Sequence, residues 1–342
     1  MAKKGAGYDI VTFGSATFDV FAKVHGQTLR IKTPTHEESL SCFLAGSKVL
    51  IEELHTATGG GGTNSAVSFS RLDFKTAWLG VLSTTDEHSR IVEAELDREG
   101  VAFVGVKKRG RIGYSVILES NGDRTILTHK GIENELKLNA LAALRRLRPN
   151  WLYFSTLLGP AFKSQAMAAA IAKARGICTA YNPSEYLCRQ GFEALRPVIE
   201  NCDILVLNKE EAALLVGEKP VPELLASLQS HVRIVVITDG PAGAYAYDGK
   251  LGYAIKPHKV RVIDTTGAGD AFASGFVAGM AKPARPKKAI EDALRLGLAN
   301  AESVIQNIGA KSGLLSLAAA RTAMVRKPAK LRVGELSTLA GL

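Results

Sequence analysis

The sequence predicts an α/β fold, with a mostly parallel central sheet covered by helices on both faces and a small β-rich unit standing off it. Three observations predict it. Beyond residue 134, short apolar runs and helix-like stretches alternate repeatedly, a rhythm that implies parallel strands joined by helical crossovers. Two stretches, about 18–52 and 101–130, instead show short alternating patterns broken by Gly26, Pro34, Gly46, Gly110 and Asn121-Gly122, as small strands with one wet face would. Finally, 342 residues at 46% hydrophobic and 22% charged suffice for a large core and are ordinary for a globular enzyme.

Taken in order, Tyr8–Gly14 is an apolar run closed by glycine and reads as a buried strand. After the first β-rich stretch, Gly59–Gly62 opens a helix over Thr63–Leu72, followed by a strand at Lys75–Val81 and an amphipathic helix from Asp86 to Arg98. The dipeptides Arg109-Gly110 and Asn121-Gly122 then mark turns, the second a hairpin signal. Trp151–Ser155 precedes a helix at Ala161–Arg175, and Ile177–Tyr181 precedes one around Tyr186–Glu200. Ile204–Leu207 leads into a helix over Lys209–Val216, and Val232–Thr238 into a turn. Ligands of such sheets gather beyond the carboxyl ends of the strands. Residues 317–342 are basic and read as an appendage to a domain ending near 316.

Composition narrows the function classes. No run of apolar residues is long enough to span a bilayer. The start, MAKKGAGYDI, lacks the apolar segment of a secretory signal. Cys42, Cys178, Cys188 and Cys202 have no metal-ligand spacing, which points to reduced thiols and a cytoplasmic setting. The formal charge of +10 favours anionic partners. Its concentrated parts, Lys107–Arg111, Arg145–Arg148, Lys282–Lys288 and the tail from Arg321 to Arg332, lack interleaved aromatics. That argues for solvated faces or phosphate steering and against a nucleic-acid groove.

The chemistry concentrates in Val262–Gly279, VIDTTGAGDAFASGFVAG. A strand end and a Thr/Gly turn precede a helix of small residues, so Gly267, Ala268 and Gly269 fall at a helix amino terminus. There the backbone N–H groups lack partners and the dipole favours anions. A carboxylate beside that cradle, Asp270, is unfavourable for merely holding phosphate. It is well placed to take a proton from a hydroxyl that attacks a phosphoryl group.

DTTGAGDAFASGF resembles the C-terminal signature of the ribokinase-like (PfkB) carbohydrate kinases, and Gly59–Asn64, GGGGTN, resembles their N-terminal one. The resemblance covers about residues 8–316 and implies a three-layer α/β/α sandwich with a β-sheet lid, ATP as phosphoryl donor and Mg²⁺ as cofactor. It implies that Asp270 is the catalytic base and that the N–H groups of Gly267, Ala268 and Gly269 form an anion hole. Asp19, Gly60 and Asn64 would bind the substrate. Asn208 and Glu211, in NKEE, would arrange phosphate and Mg²⁺ through water, and Thr238, Gly240 and Gly243 would form a nucleotide-phosphate turn. Asn182-Pro183 resembles the pair after a neighbouring strand, and Asn300 would stand near the adenine. Asp264 and Thr266, with Gly309, fall where ribokinases hold a monovalent cation such as K⁺ through backbone oxygens. The lid would exclude water and pair subunits as a homodimer.

The chain also departs from ribokinases. Gly61 stands where they carry a lysine, and Thr156–Pro160 lacks their acid. Two polar contacts to ribose are thus missing, each worth about 1 kcal/mol or more. A sugar kinase leads; a nucleoside kinase, with Phe18, Phe21 and Tyr114 as candidates for a base slot, is the nearest alternative. A sugar acid or sugar phosphate would suit the basic composition, with Arg124 in the lid hairpin either touching it or facing solvent. A non-catalytic nucleotide-binding protein is the remaining reading.

Overall fold

A computed structural model describes residues 7–32, 37–120 and 123–339. The chain opens with β1 (Ile10–Phe13), then leaves the body for β2 (Thr17–Val24), the paired β3 (Gln27–Lys32) and β4 (Glu37–Cys42), and β5 (Ile51–Gly59). It returns through α1 (Gly61–Arg71), β6 (Thr76–Leu79), β7 (Val81–Ser83) and α2 (Glu87–Arg98). The short β8 (Ala102–Phe103) and β9 (Val106–Lys108) precede a second excursion, β10 (Gly113–Ser120) and β11 (Asp123–His129). Next come α3 (Ala140–Leu147), β12 (Trp151–Ser155), α4 (Gly159–Ala174), β13 (Cys178–Asn182), α5 (Glu185–Cys188) and α6 (Phe192–Ile199). These lead to β14 (Ile204–Asn208), α7 (Lys209–Val216), α8 (Val221–Gln229) and β15 (Ile234–Thr238). The chain closes with β16 (Ala244–Tyr247), β17 (Gly252–Ile255), α9 (Ala268–Ala281), α10 (Ala289–Val304), α11 (Leu317–Arg326) and β18 (Leu331–Gly334).

The main sheet runs in the order β18-β17-β16-β15-β14-β13-β12-β1-β6-β8. Pairings from β8 through β15 are parallel, and those from β15 to β18 are antiparallel. Because strand side chains alternate, each strand feeds two cores. Val11, Phe13, Leu205 and Leu207 pack with α3, α4, α6 and α8, whereas Ile10, Ile204 and Val206 pack with α1, α9 and α10. The result is the expected three-layer α/β/α sandwich. Small residues let its α9 face close tightly: a Cβ at Gly275 would lie 2.8 Å from the Gly297 backbone.

Caps set several helix starts. The Asp86 carboxylate accepts from the His88 amide and starts α2, while Asn139 caps α3. In α3, Leu144 and Leu147 are buried and Arg145 and Arg146 exposed, the expected basic face. Lys107 and Lys108 likewise pair at the surface with Glu93 and Glu135.

A second sheet, β11-β10-β2-β5, stands over the carboxyl ends of the main strands as the lid. Its limits differ from expectation. Residues 101–108 belong to the body, because Phe103 packs on Trp78 and β8 and β9 pair with β6 and β7. The first lid segment runs on to Gly59. The Asn121-Gly122 turn lies outside the described residues, although Ser120 pairs with Asp123 beside it. The single helix expected around Tyr186–Glu200 is two, α5 and α6. The segment beyond 316 is fastened to the body: α11 packs on α10, and β18 joins the sheet against β17.

Candidate active site

The carboxyl ends of β1, β12, β13, β14 and β15, the start of α9 and the underside of the lid enclose a cavity of about 590 Å³. Its floor includes Gly60, Gly61, Asn64, Ser155, Asn182, Asn208, Glu211, Thr238, Gly267, Gly269 and Asp270. Its roof includes Asp19, Ser115, Ile117, Ile126, Thr128 and Lys130. Expected residues from six separate stretches of sequence therefore meet in one place.

The start of α9 is shaped by backbone geometry. Gly267 has φ +76° and caps the helix in the left-handed region, and a Cβ there would lie 2.3 Å from that of Ala310. Gly269 has no atom within 4 Å of where its Cβ would be, so the backbone lies open beside Asp270. Asp270 accepts a 2.8 Å hydrogen bond from Asn64 Nδ2. Burial pushes its carboxyl above the usual range, with Asn64 and the Lys311 charge opposing.

Asp19, on β2, is likewise pushed up by burial against the Thr17 and Ser115 hydroxyls and the charges of Lys311 and Lys130. Asp19 Oδ1, Asn64 Oδ1 and Ser155 Oγ are buried without a hydrogen-bond partner, and all three residues line the cavity. Buried polar atoms are nearly always paired, yet these three stand unpaired around one cavity. Ser155 went unnoticed in the sequence, although a polar residue ending the apolar run WLYFS was its signal. Gly61 explains why a side chain is missing at its position. A Cβ there would sit 3.0 Å from Ser155 Cβ and 3.3 Å from Asp270 Oδ1, so any longer side chain must displace them.

Asn208 and Glu211 form a reciprocal capping box at the start of α7. Asn208 Oδ1 accepts from the Glu211 amide at 2.7 Å, and Glu211 Oε2 accepts from the Asn208 amide at 2.9 Å. The pair is thus structural while both residues line the cavity. Burial pushes Glu211 up to about 7, and the Asp270 charge adds to it. Thr238 also lines the cavity; Gly240 and Gly243 form the turn behind it, in which the Gly243 carbonyl accepts from the Asp239 amide.

Three expectations change. Asn300 is fully buried away from the cavity, where its amide donates to Ser68 Oγ and the Ala271 carbonyl and its oxygen accepts from the Leu315 amide. Phe18 stacks on Tyr114 and both rings meet His88, Tyr114 edge-on, while Phe21 is buried; none of the three lines the cavity. Arg124 neither lines the cavity nor faces solvent unpaired, because it bonds to Asp264 and Thr266. Asp264 also accepts from the Thr266 and Gly309 amides.

Two lysines were not singled out in the sequence, where nothing separates them from exposed ones. Lys130 is the only cation among the described residues lining the cavity; its Nζ lies 4.5 Å from the Tyr186 ring centroid. Lys311 is buried and donates to Thr58 Oγ1 at 2.8 Å and Glu95 Oε2 at 2.7 Å. Burial pushes both ammonium groups below the usual range.

The chain is similar to known kinases in sequence and in fold. An uncharacterized sugar kinase of Archaeoglobus fulgidus is 27% identical over 251 residues, 72% of this chain and 98% of that protein. The structure of Arabidopsis thaliana ribokinase complexed with ribose and ATP superposes with TM-score 0.76 at 20% identity, covering 93% of this chain and 99% of that one. Adenosine kinase from Sinorhizobium meliloti superposes with TM-score 0.75 at 22% identity, covering 93% of this chain and all of that one. Residues 9–316 match the pfkB family of carbohydrate kinases; the chain belongs to that family and is an ATP-dependent carbohydrate kinase.

Proposed function

We propose that this enzyme phosphorylates a hydroxyl of a small sugar or sugar derivative, with Asp270 as the general base. The observation that carries this reading is the juxtaposition of Asp270, the open backbone at Gly269 and the three unpartnered atoms of Asp19, Asn64 and Ser155 around one cavity. Asp19, Asn64 and Ser155 bind the substrate hydroxyls, with Gly60 shaping the floor. The attacking hydroxyl oxygen forms a bond to the γ-phosphorus of ATP. The bond from that phosphorus to the bridging oxygen breaks, its electron pair leaves with ADP, and the hydroxyl proton passes to Asp270. The N–H groups of Gly267, Ala268 and Gly269 stabilise the charge on the transferring phosphoryl group. A raised carboxyl value suits a base that must take a proton only as the bond forms.

Asn208, Thr238, Gly240 and Gly243 border the ATP phosphates. Among the described residues no cluster of three or more His, Cys, Asp or Glu is placed to hold a metal. Glu211, on the cavity wall, would hold Mg²⁺ through water, a common arrangement for this ion. Bound there, Mg²⁺ neutralises phosphate charge.

A sugar bearing an acid or phosphate is the second reading, favoured by Lys130 as a cation on the cavity wall. Exposed Leu29, Leu40, Leu50 and Leu54 on and beside the lid strands support a homodimer through the lid. All four cysteines are free, in keeping with a cytoplasmic setting, and among the described residues no helix is long and apolar enough to cross a membrane.

The test is an ATP-consumption screen over pentoses, hexoses, their phosphates, sugar acids and nucleosides, with Asp270→Asn as control. At least one sugar-like acceptor is expected to turn over, and the variant to lose about 10³-fold in kcat while calorimetry shows ATP still bound. Near-normal turnover in the variant sinks the base assignment. Phosphorylation of nucleosides alone sinks the sugar reading.

A further inference from the structure

The lid touches the catalytic loop through one side chain whose role nothing above explains. Arg124 lies on β11, opposite Glu119 of β10. Its Nη1 donates to Asp264 Oδ1 at 2.9 Å and to Thr266 Oγ1 at 2.8 Å, partners 140 and 142 residues away in the chain. Asp264 is buried, and its carboxylate is a junction. Oδ1 also accepts from the Thr266 amide at 2.8 Å and hydroxyl at 2.7 Å, while Oδ2 accepts from the Gly309 amide at 2.9 Å. One carboxylate thus joins the lid, the turn at Gly309 and the loop that enters α9 at Gly267. That loop carries the amides of Gly267–Gly269.

We propose that Arg124 is a positioning residue that latches the lid onto the Asp264–Thr266 loop, so that lid closure and ordering of the Gly267–Gly269 amides are one event. The idea rests on the phosphotransferase reading and adds a coupling that reading does not require. The asymmetry of the pair suits a latch. The Asp264 side chain is 4% exposed and anchored by two amides, whereas that of Arg124 is 34% exposed. The anchored half stays with the floor when the lid opens, and the guanidinium is wet enough to let go at each turnover. Charge-assisted bonds to a carboxylate and a hydroxyl give the closed state a defined geometry. Removing Arg124 leaves Asp264 its amide partners but, among the described residues, no hydrogen bond from the lid.

Two measurements test the latch. The first needs no substrate: amide hydrogen exchange in Arg124→Ala is expected to quicken both in lid residues 113–120 and 123–129 and in loop residues 263–269, with β12–β15 unchanged. Wild-type exchange in either segment overturns the proposal, whatever the protein phosphorylates. The second uses an acceptor identified by the screen above. Arg124→Ala is expected to lose about tenfold in kcat, as for one partly exposed charge-assisted contact, and to hydrolyse more ATP per acceptor phosphorylated. Arg124→Lys, which keeps the charge, is expected to recover part of the loss, as is free guanidinium added to Arg124→Ala. Unchanged kcat and unchanged hydrolysis overturn the positioning role. An enzyme that phosphorylates nothing on the panel fails the functional reading, and the exchange result still decides the coupling.

Discussion

The floor of the site and the lid above it face the same cavity but are held in place differently. On the floor, Asp270 sits in the first turn of α9, three residues after a glycine at φ +76°, and Asn208 and Glu211 are locked in a capping box. These placements follow from local backbone rules and leave little freedom. In the lid, Asp19 lies on β2 and Lys130 directly follows β11, and side-chain contacts such as that of Arg124 with Asp264 hold the lid down. A rigid floor keeps donors aimed at developing charge, while a separable lid admits and releases substrate. Damage to the floor should therefore appear chiefly in kcat, and damage to the lid in stability, exchange and coupling together with a smaller loss of kcat.

The sharpest way to break this contrast is Gly267→Ala. The added methyl would meet the Ala310 Cβ at 2.3 Å, in a left-handed conformation that alanine disfavours. Because Gly267 caps α9 and leads the amide cradle, kcat is expected to fall by about two orders of magnitude or more. The KM for the acceptor should change little. Steady-state kinetics with an acceptor from the screen decide it. A rise in KM with kcat intact would show that the cradle holds ground-state substrate instead of transferring charge.

The lid's root offers a test by pH. Glu133 follows β11 beside Gly113, is 2% exposed, and is pushed up to about 7 from an ordinary 4.5, chiefly by burial. The folded chain thus holds this proton more tightly than the unfolded chain does. Its stabilising effect is complete below 4.5, declines as pH rises from 4.5 to 7, and is gone above that, a swing of about 3 kcal/mol. Urea unfolding at pH 5 and pH 8 should show Glu133→Gln losing less stability than the parent over this interval. Parallel losses in the two proteins would mean that Glu133 is solvated or paired in the folded state. Glu211, also near 7, remains in both proteins and cancels from the difference.

The floor was largely legible in the sequence because its chemistry is local. DTTGAGD, NKEE and GGGGTN place their side chains by turn and helix-start rules that act within a few residues. Alternating strands and helices were readable for the same reason, and Trp151–Ser155 and Lys209–Val216 fall at the bounds expected. The lid was harder. Residues 101–108 have strand character, yet Trp78 on a distant strand decides that they join the body. Arg124 and Lys311 owe their roles to partners more than 100 residues away, a pairing that no short-range pattern encodes. Phe18 and Tyr114 lie on lid strands as expected, but the pleat turns them toward His88 and away from the cavity.

Asn300 gives the smallest effect and separates two readings of one residue. By resemblance it stands near the adenine, whereas its amide donates to Ser68 Oγ on α1 and the Ala271 carbonyl on α9, and its oxygen accepts from the Leu315 amide. Those three bonds tie together α1, α9, α10 and the segment before α11, all inside the body. Asn300→Ala should therefore lower unfolding free energy by about 1–3 kcal/mol, the cost of leaving buried polar groups unpaired. The KM for ATP should stay within about twofold, far less than the tenfold that 1.4 kcal/mol of lost binding would produce. Thermal unfolding and ATP titration on the same preparation decide between the readings. A large rise in KM at unchanged stability would return Asn300 to the nucleotide site, and with it would fall the view that the floor is rigid because its supports lie out of the ligands' reach.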